Sequence, residues 1–192
     1  MFRFLKRLLG TKEREMATPN FKEICKTIKI DDDRLIEAKA LREKFKASIE
    51  RYQQVSLQCH GFPIDLLFAL HYRESSLSFK TCLHNGDKLP GPTTHVPKGR
   101  GPFSSWEEAA IDALMLEKYK FPADWSFESR LEFAEKYNGI GYRKTSEFSP
   151  YVFAGTNFHD ETGKYVADGK YDASAKEQQL GVAAILLALN NV

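Results

Sequence analysis

The chain has 192 residues, a formal net charge of +2 at pH 7 and 42% hydrophobic residues. At about 150 residues per domain, that is roughly one domain with an appendage. The composition excludes wholesale disorder, the small net charge argues against a strongly basic nucleic-acid binder, and no apolar run approaches the roughly 18 residues of a spanning helix. The basic character sits in a leader: residues 1–16 sum to +3 and the remainder to −1. Cys25, Cys59 and Cys82 form no Cys-x-x-Cys motif, so reduced thiols are expected, with one disulfide left open.

Residues 2–9 place Phe2, Leu5 and Leu9 at helical spacing, with Arg3, Lys6 and Arg7 able to gather opposite. That suits a short helix on an anionic membrane surface; the alternative is a frayed terminus. A continuous apolar stretch and a small-residue cleavage site, which a secretory signal needs, are not seen. Residues 33–55 read as one long helix: Leu35, Ile36, Leu41, Phe45, Ile49 and Tyr52 recur near the helical period, behind Asp31, Asp32 and Asp33 at the positive end. A second helix starts near Pro63, and its run Ile64, Leu66, Leu67, Phe68, Ala69 and Leu70 is apolar nearly all round, which predicts a buried central helix. Residues 80–103 are rich in glycine and proline and are expected to form short strands around turns, with Asn85-Gly86 as the hairpin signal. Ser104 or Ser105 caps the next helix, with Glu107 or Glu108 completing a capping box, and that helix runs to about Tyr119. Ser126 starts another, which stops at Gly139. Residues 150–172 read as an extended, hairpin-like excursion. Ser174 and Glu177 form a capping box for a last, heavily buried helix around Leu180, Val182, Ile185, Leu186 and Leu189. The sum is an α+β chain, mainly α.

Two carboxylates stand out. Glu74 closes an apolar helix, where poor solvation and the helix's negative end raise its pKa and keep it protonated, as a general acid requires. The plainer reading is a surface glutamate paired with Arg73 or Lys80. Asp87 follows thirteen residues later in a polar turn and is expected to stay ionised. A pair of carboxyls with divergent pKa values marks acid and base roles, and glycoside hydrolysis uses such a pair. An ordinary turn aspartate is the alternative. Thr93 and Thr94 follow at a distance that allows them to orient water. Of the aromatic residues in this half, Tyr137 and Tyr142 are expected near a cleft and Tyr72, Phe103, Trp106, Tyr151 and Phe153 in the core.

Residues 64–79, with Glu74-Ser75-Ser76, resemble the catalytic helix end of soluble lytic transglycosylases and goose-type lysozymes. Tyr137-Asn138-Gly139 resembles their Tyr-Asn-Ala-Gly segment, which implies substrate contacts for Tyr137 and Asn138. The order Glu74, Asp87, Thr93, with six positions from Asp to Thr, is similar to phage-type lysozymes, although the gap from Glu to Asp is longer. The resemblance covers about residues 61–190. The Gly-Leu-Met-Gln segment usual in transglycosylases is not found, and a glycine- and proline-rich stretch stands in its place.

The resemblance implies a lysozyme-like fold with a small glycine-rich hairpin lobe. The expected division is a leader over 1–19, an N-terminal helical elaboration over 20–60 and a catalytic domain over 61–192. The implied activity is cleavage of the β-1,4 bond between N-acetylmuramic acid and N-acetylglucosamine in peptidoglycan. Glu74 acts as the acid while Asp87 and Thr93 position water, with carboxyls roughly 6.5–9.5 Å apart. Ser76, Asn85, Tyr137, Asn138 and Tyr142 are the expected glycan contacts. The expected partner is the glycan strand, acted on by a monomer with no metal, cofactor or nucleic acid. The expected location is the cell wall, reached from the cytoplasm by phage or particle delivery. The alternatives are a lytic transglycosylase using Glu74 alone and a non-catalytic wall-binding or virion module. Two rival sites are weaker. His71, His84 and His95 with Cys82 and Asp87 match no standard zinc spacing. A Cys82 nucleophile with His84 or His95 lacks an evident orienting group.

Overall fold

The computed structural model describes residues 19–144, 148–160, 162–167 and 169–190. The amphipathic segment 2–9 lies outside them. Helix α1 (Phe21–Thr27) is capped by the Asn20 side chain, which accepts from the Glu23 N–H at 3.2 Å. A 3-10 turn (Asp32–Arg34) leads into α2 (Leu35–Gln58). The buried stripe of α2 is Ala38, Leu41, Tyr52 and Val55, with Phe45 half-buried between them. Ile36 falls outside it and is 84% exposed, so the expected stripe is shifted by two positions at its start.

Helix α3 (Ile64–Ser75) buries every residue from Leu66 to His71, as an all-round apolar helix must. Pro63 is its N-cap rather than part of its first turn. The helix ends abruptly because Ser76 (φ 51°) and Leu77 (φ 65°) both adopt left-handed backbone, at roughly 1–2 kcal/mol each. Helix α4 (Trp106–Leu114) is capped by Ser105, and Glu108 reaches back to the Ser104 N–H at 2.8 Å. It stops five residues before the expected Tyr119. The following segment is held by aromatic packing instead: Tyr119 stacks on Tyr137 and Phe121 lies against Phe62. Helix α5 (Phe127–Asn138) runs from its Ser126 cap to Gly139, whose φ of 103° breaks the helix.

The 80–103 stretch differs from expectation. It contains two isolated antiparallel bridges, Thr81 with Lys88 and Gly91 with Phe103, rather than strands. After a 3-10 turn (Ile140–Lys144) and the single-turn α6 (Pro150–Phe153), the chain forms an antiparallel pair, β1 (Thr162–Ala167) and β2 (Lys170–Lys176). Ser174 therefore lies in a strand and does not cap the last helix. Its hydroxyl and its N–H both donate to Asp172, so its hydrogen bonds are spent locally. Helix α7 (Val182–Asn190) begins later and is buried along most of its length.

The architecture is α+β and mainly helical. Helix α7 packs against α2, α3, α5 and α6. One apolar core runs from Phe21, Ile24, Leu41 and Val55 through Leu67 and Leu70 to Ile185 and Leu186, so residues 20–60 share it with the remainder. A small satellite of Cys82, Phe103 and Ala109 underlies the 80–103 stretch. The three cysteines are free, with Cys59 and Cys82 buried. Among the described residues no helix is long and apolar enough to cross a membrane.

Candidate functional site

Glu74 sits at the last turn of α3, one residue before the helix ends. The residue lines an open cleft of about 890 Å³ together with Tyr137, Asn138, Tyr119, Lys118, Glu117 and Arg100. The cleft exists because α3 and α5 both end there, and the 80–103 stretch and the segment after α4 form the facing wall. Burial pushes the Glu74 carboxyl above its ordinary pKa, against the lowering effects of the Tyr151 hydrogen bond, Arg73 and Lys118. The Tyr151 hydroxyl donates to Glu74 Oε1 at 2.7 Å, and burial beside Glu74 keeps that phenol protonated. A carboxyl with a raised pKa, oriented by a hydrogen bond at a cleft, is suited to give a proton to a leaving oxygen.

Asp87 is arranged for a different task. Its Oδ2 accepts the Thr94 N–H at 2.7 Å and the His95 N–H at 2.9 Å. Its Oδ1 accepts the Thr94 hydroxyl at 2.8 Å and lies 2.6 Å from His95 Nδ1. These donors, the His95 N–H foremost, hold the Asp87 carboxyl well below the usual carboxylate range. The ionised state expected from sequence is thus present, but both oxygens are occupied inside the loop. Thr93 is buried likewise. Its hydroxyl donates to the Pro97 carbonyl and accepts the Arg100 N–H at 2.9 Å. Neither Asp87 nor Thr93 lines the Glu74 cleft.

The remaining expected residues divide. Tyr137 and Asn138 join Glu74 in the cleft, and Tyr137 donates to the Leu83 carbonyl at 3.0 Å, tying α5 to the 80–103 stretch. Tyr142 lines a second, neighbouring pocket of about 480 Å³, which Asn138 also borders. Asn85 is a loop-forming residue whose side chain accepts from the Asp87 N–H at 3.0 Å and reaches the Val96 carbonyl. Ser76 is exposed and accepts from Gln179 Nε2 at 3.2 Å, outside both pockets.

Sequence reasoning placed Tyr151 in the core and missed its contact with Glu74, which spans 77 residues and leaves no local pattern. It also missed a polar wall. His84 Nε2 lies 2.8 Å from Asp112 Oδ2, and Arg100 grips the same carboxylate through Nε and Nη2. Burial lowers the His84 pKa against the raising effect of Asp112, and Asp112 is held low chiefly by Arg100. The three histidines considered for a metal are dispersed: His71 is fully buried against Tyr52 and Trp106, His84 serves Asp112 and His95 serves Asp87. Among the described residues, no three His, Cys, Asp or Glu side chains gather as a metal set. Comparison with protein-family models, with curated proteins and with solved structures returns no match.

Proposed function

We propose that the protein cleaves the β-1,4 bond between N-acetylmuramic acid and N-acetylglucosamine in peptidoglycan, with Glu74 as the general acid. One observation carries this reading: two segments that resemble lysozyme-family motifs, 74–76 and 137–139, meet at one cleft through Glu74, Tyr137 and Asn138. The raised pKa of Glu74 and the polar and aromatic lining of that cleft are what acid-assisted cleavage of a glycan needs.

The geometry favours Glu74 acting without Asp87; the other carboxylate that lines the cleft, Glu117, belongs to the segment after α4. Asp87 and Thr93 spend their oxygens within the loop and stand outside the cleft. In this reading the Glu74 proton passes to the glycosidic oxygen as its bond to C1 breaks. The Glu74 carboxylate then takes the proton of the C6 hydroxyl as O6 bonds to C1, which leaves a 1,6-anhydro end. Direct hydrolysis, with water in place of O6, is the second reading, and it rests on the order of Glu74, Asp87 and Thr93 in the chain.

Purified peptidoglycan digested with wild type and with Glu74→Gln separates these cases. Wild type should release soluble fragments, and Glu74→Gln should be slower by roughly 10²–10⁴-fold while remaining folded. Mass spectrometry of anhydro ends, lighter by one water than reducing ends, identifies the single-carboxyl route. Release that does not depend on Glu74 removes the proposal.

A further inference from the structure

The 480 Å³ pocket lies beside the Glu74 cleft, and Asn138 borders both. Its buried cation, Arg73, directly precedes Glu74 in α3, so their Cα atoms stand about 3.8 Å apart. Tyr151 joins the two sites: its hydroxyl bonds Glu74 while its ring lies 5.0 Å from the Arg73 guanidinium. The Arg73 side chain is only 7% exposed, and its Nε is buried without a hydrogen-bond partner among the described residues. Lys164 adds a second, more accessible positive charge from β1. Glu177 offsets one of the two, and loosely: its Oε2 lies 3.4 Å from Arg73 Nη2 and 3.9 Å from Lys164 Nζ, while its Oε1 accepts the Gln179 N–H. Among the described residues the lining therefore carries one positive charge in excess. Part of the wall is glycine: Gly139, Gly141 and Gly169 line it, and a Cβ added at Gly139 or Gly169 would meet nothing within 4 Å. Such a wall offers main chain rather than side chains, with open space over it.

In a peptidoglycan strand the lactyl carboxyl of N-acetylmuramic acid is taken up in an amide bond with a short peptide, so the strand's negative charge sits on that peptide. We propose that this pocket receives the peptide, with its first free carboxylate drawn to Lys164 and to the charge of Arg73, so that the protein prefers peptide-bearing strands to bare ones. This rests on the reading of Glu74 as the cleaving acid and adds to it a recognition element outside the cleft that holds the sugars. One positive charge in excess suits a monoanion, and Glu177 disfavours a doubly charged phosphate. A glycine wall lets an extended chain lie close and meet main-chain groups, which a short peptide matches with its own. At about 3.3–3.6 Å per extended residue, a carboxylate on the second residue of the peptide reaches a pocket that one side chain, Tyr151, separates from the acid.

The test uses the full chain carrying Glu74→Gln, so that bound glycan persists. Calorimetry and amide NMR compare alternating N-acetylglucosamine–N-acetylmuramic acid tetrasaccharides whose lactyl carboxyls are all amides. The first carries alanyl-glutamyl dipeptides with the α-carboxylate free and the γ-carboxyl amidated. The second carries the same dipeptides fully amidated, and the third carries lactyl methylamides with no peptide. The first is expected to bind about fivefold more tightly than the second at low salt, with the advantage shrinking as salt rises. Amide shifts at residues 164–165 and 169 should appear with the first glycan and be lost with the third, which should shift the Glu74 cleft alone. Adding Lys164→Ala should bring the ratio of the first two affinities close to one, Lys164→Arg should restore most of it, and Lys46→Ala on the exposed face of α2 should leave it unchanged. Equal affinities for the first two glycans, no binding of any of them, or equal shifts at 164–165 with the peptide-free glycan would overturn the assignment. Wild-type cleavage of the same glycans is measured separately. Cleavage indifferent to the carboxylate removes this inference alone, whereas carboxylate preference in binding without Glu74-dependent cleavage removes the catalytic reading and leaves a peptide-binding pocket.

Discussion

At the scale of single residues, one carboxyl has its pKa pushed up and another has its pKa pulled down, by opposite means. Glu74 is starved of water at a helix end, while Asp87 is surrounded by donors from Thr94 and His95. For Asp87 the folded pKa is depressed, so its contribution to stability is fully present above the ordinary carboxylate range, declines below it and is lost as pH falls through the depressed folded value. Asp87→Asn should accelerate hydrogen exchange at the Thr94 and His95 amides by about tenfold, because a neutral amide oxygen accepts their N–H groups more weakly than a carboxylate does. Cleavage should fall by less than about tenfold, well short of the loss in Glu74→Gln. A collapse of cleavage in Asp87→Asn with normal amide protection would instead assign Asp87 to the chemistry. Glu74 was legible from sequence because its environment is local, namely an apolar helix that ends there. The occupancy of Asp87 was not, because its partners lie seven and eight residues on and nothing in the sequence states that a turn will fold back onto its own carboxylate.

At the scale of elements, the helices were legible where a capping side chain and a periodic apolar face coincide, as at Ser105 and Ser126. The errors fall where polar side chains satisfy the backbone in other ways. Ser174 bonds Asp172 in β2, and the 80–103 stretch is held by Asp87 and Thr93 more than by ladder pairing. The junction of α6 with α7 shows a further element-level constraint. Gly181 N–H donates to the Ala154 carbonyl at 2.8 Å, and a Cβ on Gly181 would meet the Val152 carbonyl oxygen at 2.5 Å. The obstacle is backbone, so it cannot swing away. Gly181→Ala should destabilise the fold by roughly 3 kcal/mol, which lowers Tm on the order of 10 °C. Thermal unfolding followed by circular dichroism checks this, and an unchanged Tm would show that α6 and α7 can separate without cost.

At the scale of the whole molecule, the buried acid is a burden on the fold. Below the ordinary glutamate pKa, Glu74 is protonated in both folded and unfolded chains and costs nothing. As pH rises past that value the unfolded chain ionises first, because the folded pKa is raised, and stability falls until the folded carboxyl ionises too. Glu74→Gln should therefore be more stable than wild type at neutral pH and close to it at about pH 3.5, as measured by denaturant unfolding at both pH values. A difference that does not change with pH would mean that Glu74 ionises normally. The helical class was readable because periodicity and capping are local. The meeting of α3, α5, α6 and the 80–103 stretch around one cleft is a property of packing, which no segment carries alone. Tyr151 is the residue in which that packing acquires a thermodynamic consequence. Its hydroxyl steadies the Glu74 carboxyl while its ring lies 5.0 Å from the Arg73 guanidinium. A ligand that draws Tyr151 away from Glu74 tightens that group's hold on its proton. Reciprocity then requires the same ligand to bind more strongly to the protonated enzyme, so occupancy of one pocket and the proton in the other are coupled quantities.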